Sequence, residues 1–89
     1  MNNREFKSGD IVQHFKRLYI NNPTTDYLYE IISTNAHHTE TDEKLIVYKA
    51  LYGEHIVCCR PYEMFMSKVD KIKYPDAKQE YRFELYQGD

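Results

Sequence analysis

The sequence predicts a mainly β protein, a small five-stranded barrel of the SH3-like type with one short helical turn before the last strand. Two observations carry this prediction. Short apolar segments alternate with polar residues at a period of two, as half-buried strands do, and clusters of turn-forming residues separate them. The chain of 89 residues is long enough for one domain and not two. An open five-stranded sheet crossed by a helix is the alternative architecture.

Five segments are predicted to be strands and one to be a helical turn. In chain order, the strands are residues 10–15, 27–36, 44–51, 55–60 and 80–85, and the helical turn is residues 61–66. The third segment is apolar on both faces except at Lys49, which places it at the centre of the sheet. Pro61 opens the helical turn, because its fixed φ and missing N–H suit a first helical position. Residues 16–26 contain a dense run of Asn, Pro and Thr and are predicted to form an exposed loop.

One domain is expected over residues 7–86, with short tails at residues 1–6 and 87–89. Its core has to be thin, because a chain of this size buries only roughly 60–65% of its unfolded surface. Nine Tyr and four Phe, with no Trp, supply the large side chains. Phe65 is predicted to be the anchor between the helical turn and the sheet.

Charge and hydropathy restrict the class of partner. Twelve Lys and Arg stand against 14 Asp and Glu, for a formal net charge of −2. Non-specific nucleic-acid binding relies on phosphate neutralisation by a basic domain, so this balance argues against nucleic acid as the main partner. No apolar segment resembles a signal peptide or a membrane span. A reduced, cytoplasmic protein of bacterial type that does not bind membranes is therefore expected.

Cys58 and Cys59 are adjacent, which is a strained geometry for a disulfide. Neither belongs to a CxxC pair of the kind that binds zinc. Reactive thiols need an electropositive and accessible setting, and Arg60 is the next residue. Burial in a strand is the commoner state of Cys, so at least one of the two is expected to be packed and inert.

His14, His38 and Glu40 form the most reactive-looking set. A carboxylate can orient a His that acts as a general base, and two His with a carboxylate can bind a metal. The preferred interpretation is structural, with hydrogen bonds that hold the second hairpin to the first strand, and no metal or cofactor is expected. His14, Glu40 and Arg60 are further predicted to share one surface at the end of the barrel, as a structural clasp or as an anion-binding site.

Tyr48, Tyr52 and Arg60 form a second candidate patch. Arg stacks on aromatic rings and forms forked hydrogen bonds with carboxylates or phosphates. The alternative is packing of the barrel wall, since Tyr has to supply bulk in a chain without Trp. The four Lys at residues 68–78 are interrupted by Asp and are expected to form a solvated connection.

Four ordered segments of the chain are HFK at 14–16, HTET at 38–41, VYKALYG at 47–53 and RPYEMF at 60–65. Together these segments resemble a bacterial family of unknown function, DUF1653. They are similar to the family's HFKG, RHSETGE, VVYRALYG and WVRPLEMF, after which the family closes on PRF. The resemblance covers residues 7–86 and implies an SH3-type barrel without implying any biochemical activity. Cys58 stands at the family's Trp, Cys59 at its neighbouring Val and Asp42 at its turn Gly, a position where Asp tolerates the left-handed conformation.

The expected function is a non-enzymatic binding module for a peptide, a nucleotide or a small anion. Its candidate binding residues are His14, His38, Glu40, Tyr48, Tyr52 and Arg60. One alternative is a small metal-dependent or His-based hydrolase built on His14, His38 and Glu40. A second is an accessory protein that binds RNA or DNA, which requires Lys and Arg to cluster on one face. The sequence leaves the oligomeric state open, and the fold alone does not determine the function.

Overall fold

The computed structural model of the protein describes residues 5–88. Within them, five strands, a 3-10 helix and a short α-helix follow one another along the chain. The strands are β1 (Ile11–His14), β2 (Leu28–His37), β3 (Lys44–Ala50), β4 (Val57–Pro61) and β5 (Phe83–Leu85). The 3-10 helix (Phe15–Tyr19) follows β1, and α1 (Tyr62–Phe65) follows β4. The mainly β fold, with five strands and a helical turn before the last one, is therefore confirmed.

The strands form one antiparallel sheet in the order β4-β3-β2-β1-β5. The central strand is β2, so the prediction that residues 44–51 lie at the centre is wrong. An apolar pattern on both faces does not distinguish the central strand from its neighbour. In β3, Ile46 and Tyr48 are buried, whereas Leu45 and Val47 on the other face are only half-buried.

The sheet curls towards a barrel but does not close. Its two edges are β4 and β5, which are not neighbours in the hydrogen-bonded strand order of residues 5–88. Side chains fill the gap instead. The rings of Phe65 and Phe83 stack with 4.0 Å between centroids, and the guanidinium carbon of Arg60 lies 5.8 Å from the Phe83 centroid. The core thus lies between the curled sheet and α1.

The core consists of side chains from four strands and from α1. Its buried members are Val12, Ile31, Ile46, Tyr48, Phe65 and Phe83. Phe65 is fully buried, which confirms that it anchors α1 to the sheet. Half-buried aromatic residues, including Tyr29 and Tyr62, pack against this cluster. Tyr therefore does supply part of the bulk that a small Trp-free domain needs.

The segment after β1 differs from its prediction. Phe15, expected in the first strand, begins the 3-10 helix and is buried. Arg17, expected in an exposed loop, is only 3% exposed. Its Nη2 donates a hydrogen bond of 2.7 Å to the carbonyl of Thr24, and its guanidinium carbon lies 5.1 Å from the centroid of the Tyr86 ring. A segment rich in turn residues can thus still contain a buried Arg, when a carbonyl accepts its hydrogen bond and an aromatic ring packs against its guanidinium.

The turn between β2 and β3 contains a residue in the left-handed conformation. Asp42, at the turn between β2 and β3, has a φ of 61°, so it does adopt the left-handed conformation expected at the family's Gly position.

Cys58 and Cys59 are both exposed and free, so the expectation that one of them is packed is wrong. They lie on β4, an edge strand with one hydrogen-bonded neighbour, which covers them less than an interior strand would. No helix within residues 5–88 is long and apolar enough to cross a membrane.

Candidate functional site

A cleft of about 300 Å³ lies where the end of β1, the segment before β5 and the end of β4 meet. We call it the cationic cleft. Its lining is His14, Phe15, Lys16, Arg60, Asp70, Lys73, Tyr74 and Arg82. Four of these eight side chains are Lys or Arg and one is a carboxylate. The cleft is therefore positively charged in a chain whose formal net charge is −2.

His14 is held at the floor of the cationic cleft by its backbone and by its ring. Its N–H donates to the carbonyl of Tyr27 at 3.0 Å. Its Nδ1 accepts a hydrogen bond of 3.1 Å from the N–H of Lys16, which caps the 3-10 helix. The His14 ring lies 5.6 Å from the Tyr27 ring and 5.0 Å from the Phe83 ring, between centroids.

The environment of His14 keeps its ring neutral. Burial, and after it the positive charges of Arg60, Lys16 and Arg82, together lower the pKa of His14 from 6.5 to about 4. Since Nδ1 accepts a hydrogen bond, the single ring proton is assigned to Nε2. His14 therefore offers the cleft an N–H donor at neutral pH.

Arg82 is positioned by main-chain hydrogen bonds on both sides. Its N–H donates to the carbonyl of Ser67 at 3.0 Å, and its carbonyl accepts from the N–H of Phe15 at 2.9 Å. The Arg82 Nε is buried and has no hydrogen-bond partner within residues 5–88. A buried donor without an acceptor is costly, so this atom marks a place where an acceptor would be stabilised.

Gln79 fixes the segment that carries Arg82. It is only 3% exposed. Its Nε2 lies within hydrogen-bonding distance of three carbonyls, those of Tyr81 at 2.9 Å, Gln13 at 3.1 Å and Arg82 at 3.3 Å. Its Oε1 accepts from the side-chain amide of Gln13 at 2.9 Å. The buried amide therefore joins the chain before β5 to β1, which sets the position of Arg82 relative to His14.

Lys16 and Lys73 flank one aromatic ring in the cleft. The Nζ atoms of both lie 5.7 Å from the centroid of Tyr74, and Tyr74 packs edge-on against Phe15 at 4.9 Å. The Asp70 carboxylate is engaged by the backbone, since its Oδ1 accepts from the N–H of Lys73 at 3.3 Å. The ion pairs between described residues, His37–Asp42 and Lys68–Glu80, include none of the four cations of the cleft.

A second cavity, of about 440 Å³, adjoins the cationic cleft and is rich in Tyr. We call it the tyrosine groove. Its lining is Tyr29, Tyr48, Ala50, Tyr52, Gly53, Glu54, Ile56, Cys58 and Arg60. The hydroxyls of Tyr29 and Tyr52 are hydrogen-bonded at 2.8 Å. Burial, and then this hydrogen bond, raises the pKa of Tyr29 far above its usual value, so the Tyr29 hydroxyl stays protonated.

Arg60 is the residue that the two cavities share. It lies opposite Ile46 in the pairing of β3 with β4, so its side chain lies on the core face of the sheet. There its guanidinium covers the Phe83 ring. Burial raises the pKa of Tyr48, whereas the positive charge of the nearby Arg60 opposes that rise.

The structure brings some of the predicted site residues together and separates others. His14 and Arg60 both line the cationic cleft, and Tyr48, Tyr52 and Arg60 all line the tyrosine groove. Glu40 lines neither cavity, so neither of them gathers His14, Glu40 and Arg60 together.

The reason is the length of β2. This ten-residue strand begins beside Tyr27, whose ring contacts His14, and ends before the turn that holds His38 and Glu40. At about 3.3 Å per residue, it places that turn at the end of the sheet away from His14. The Nδ1 of His38 accepts from the N–H of Glu40 at 3.2 Å, which is a local turn contact and does not tie the hairpin to β1. Within residues 5–88, no three His, Cys, Asp or Glu side chains are grouped as metal ligands.

Sequence reasoning missed Lys16, Lys73, Tyr74 and Arg82. Lys16 lies in the HFK segment, and Arg82 with Phe83 matches the last two letters of the family's PRF, so for these two the motifs carried a signal that charge alone did not. Lys73 lies in the interrupted basic stretch that was expected to be merely solvated. Of its neighbours there, Lys68 pairs with Glu80 and Lys71 donates to the carbonyl of Ala77.

The fold and its cavities define a small, mainly β domain with a cationic cleft at the open side of its sheet. The chain belongs to the family described as "Protein of unknown function (DUF1653)", whose model matches residues 10–85. This match covers nearly the whole chain and confirms the resemblance found in the four segments. No curated protein and no solved structure matches the chain.

Proposed function

We propose that this domain is a non-enzymatic binding module for a small anion and that the cationic cleft is its binding site. The observation that carries the proposal is the grouping of Lys16, Arg60, Lys73 and Arg82 around one cavity of about 300 Å³. A cleft lined by one sign of charge, with low-dielectric walls, concentrates counter-ions. Phosphate and carboxylate groups are the ligands that two guanidinium groups recognise best.

Three kinds of donor are available to such an anion. The Arg60 and Arg82 guanidinium groups provide charged N–H donors. Lys16 and Lys73 provide flexible ammonium groups. His14 provides a neutral Nε2–H, because Nδ1 is already occupied. These donors support binding without requiring a reaction.

The hydrolase alternative has lost its geometric basis. It required His14, His38 and Glu40 to converge, and the last two lie exposed in the turn between β2 and β3. A general base has to lie within hydrogen-bonding reach of its partner. The remaining His14 lies among three positive charges that disfavour its protonation. Binding therefore accounts for more of the cleft than catalysis does.

The experiment is a titration of the full chain with inorganic phosphate and with pyrophosphate, in which the amide chemical shifts are measured at each ligand concentration. We expect saturable shifts at His14, Lys16 and Arg82 that weaken as salt is added. Arg82→Gln and Lys73→Gln each lower the affinity about tenfold, since a hydrogen bond to a charged group contributes about 1.5 kcal/mol. The matched control is Lys78→Gln, an equal charge change at an exposed residue outside the cleft. Equal losses in all three variants, or no saturable binding at all, would contradict the proposal.

A further inference from the structure

The tyrosine groove opens beside the cationic cleft, and the two cavities have a common wall. Arg60 lines both of them. A ring-to-ring path also links them, because His14 lies 5.6 Å from Tyr27 and Tyr27 lies 5.6 Å from Tyr52, between centroids. A single ligand with an anionic end and a flat end can therefore contact both cavities at once.

The chemistry of the groove suits a flat aromatic group. Tyr29 packs edge to face on both Tyr48 and Tyr52, and Ala50 and Ile56 supply aliphatic surface. Ile56 is 60% exposed, which is a large exposed fraction for an aliphatic side chain beside an aromatic wall. Aromatic side chains stack on nucleobases without regard to sequence, because every base has a flat π face. At the rim, the Glu54 carboxylate offers an acceptor for the N–H groups of a base.

We infer that the ligand of this domain is a nucleotide, with its phosphate in the cationic cleft, its base in the tyrosine groove and Arg60 between them. This inference rests on the proposed anion site and adds the identity of the group attached to the anion. The volumes are in keeping with it, since about 300 Å³ and about 440 Å³ fall within the range of pockets that hold small molecules. The ribose supplies the spacer between the two groups.

The test compares ligands that share the phosphate and differ in the ring. Ribose 5-phosphate, the four 5′-ribonucleoside monophosphates, phenyl phosphate and a short single-stranded oligonucleotide are titrated into the full chain. We expect the best monophosphate to bind about tenfold more tightly than ribose 5-phosphate. Only the ligands with a base shift the amide resonances of Gly53 and Cys58 in the groove, whereas all shift those of His14 and Arg82.

Variants in the groove separate the two halves of the ligand. Ile56→Ala removes exposed aliphatic surface with little risk to folding, and it should lower nucleotide affinity while leaving ribose 5-phosphate binding unchanged. Tyr52→Ala should do so more strongly, and Tyr52→Phe, which keeps the ring, should restore most of the affinity. Lys78→Gln, outside both cavities, should leave both ligands unaffected.

The outcomes distinguish this inference from the proposed function. Equal affinity for ribose 5-phosphate and for all four nucleotides would overturn the nucleotide assignment and leave the anion site standing. Phenyl phosphate that binds as tightly as the best nucleotide would also overturn it, because the ribose spacer would then have no role. An oligonucleotide that binds more tightly than every monophosphate would support the pairing of base and phosphate and would identify a single strand as its source. Loss of binding for pyrophosphate and all phosphates together would refute both proposals.

Discussion

The guanidinium of Arg60 on β4 lies over the ring of Phe83 on β5, with 5.8 Å between the guanidinium carbon and the ring centroid. These two strands are the unpaired edges of the sheet. The contact therefore crosses the side on which the barrel stays open, and it does so with a charged group that also lines both cavities. Closing the gap and binding an anion are thus two roles that one side chain can combine.

Replacement of Arg60 tests both roles at once. Arg60→Ala should lower the free energy of unfolding by about 1–2 kcal/mol, as expected for loss of a partly buried cation–π contact. It should also weaken phosphate binding about tenfold. Thermal unfolding by circular dichroism and a phosphate titration measure the two effects separately.

Arg60→Lys is the matched control, because it keeps the positive charge but loses the planar group that covers Phe83. It should retain more of the phosphate affinity than of the stability. Unchanged stability in Arg60→Ala would rule out a stabilising role for the Arg60–Phe83 contact, and unchanged phosphate affinity would rule out the binding role.

Phe65 connects α1 to the sheet and should be the most costly core side chain to truncate. It is fully buried and stacks on Phe83 with an interplanar angle of 5°. Phe65→Ala should cost about 3–5 kcal/mol, which is a large part of the stability of a domain of this size. Urea denaturation measures the difference. The control is Met64→Ala, at a neighbouring residue that is 49% exposed. Similar losses in the free energy of unfolding for the two variants would show that the stack of Phe65 on Phe83 does not stabilise the fold more than a surface contact does.

His14 should make the stability depend on pH in a defined window. The pKa of its ring falls from 6.5 in the unfolded chain to about 4 in the fold. Between these values the unfolded chain binds more protons, so the stability is fully present above pH 6.5 and decreases as the pH falls towards 4. Urea unfolding curves recorded at several pH values measure the slope of the free energy of unfolding against pH.

His14→Asn is the variant for this measurement, because the Asn side-chain oxygen can still accept from the N–H of Lys16 and cap the 3-10 helix. Carboxylates titrate over the same pH range in the unsubstituted protein and in the variant. The difference between their two curves of unfolding free energy against pH therefore isolates the contribution of His14. A slope that is identical with and without the imidazole would show that His14 titrates alike in the folded and unfolded states.

Gln79 should matter for both stability and binding although it is distant in sequence from β1. Gln79→Leu leaves the carbonyls of Gln13 and Tyr81 without their side-chain donor and should cost about 1–3 kcal/mol. It should also weaken phosphate binding, since the segment that carries Arg82 loses its tie to β1. Chemical denaturation and the phosphate titration test this. Gln87→Leu, at an exposed residue, should change neither quantity.

The sequence alone was sufficient for the fold class, the five strands, the helical turn and the buried position of Phe65. These features depend on local patterns, namely the period-two alternation, the turn residues and Pro61, which short segments determine largely by themselves. The left-handed Asp42 was likewise predictable from a single residue type at a turn. Family membership followed from four ordered motifs that the family model matches.

Only the tertiary structure decided which polar residues meet. Lys16, Arg60, Lys73 and Arg82 are separated by up to tens of residues, and their grouping depends on how the curled sheet brings the ends of β1 and β4 to the segment before β5. The length of β2 separates Glu40 and His38 from His14, because this ten-residue strand carries their turn to the end of the sheet away from His14. Periodicity determines which face of a strand is buried, but strand length, register and sheet curvature determine which strand ends come together, and these are set by contacts distant in sequence.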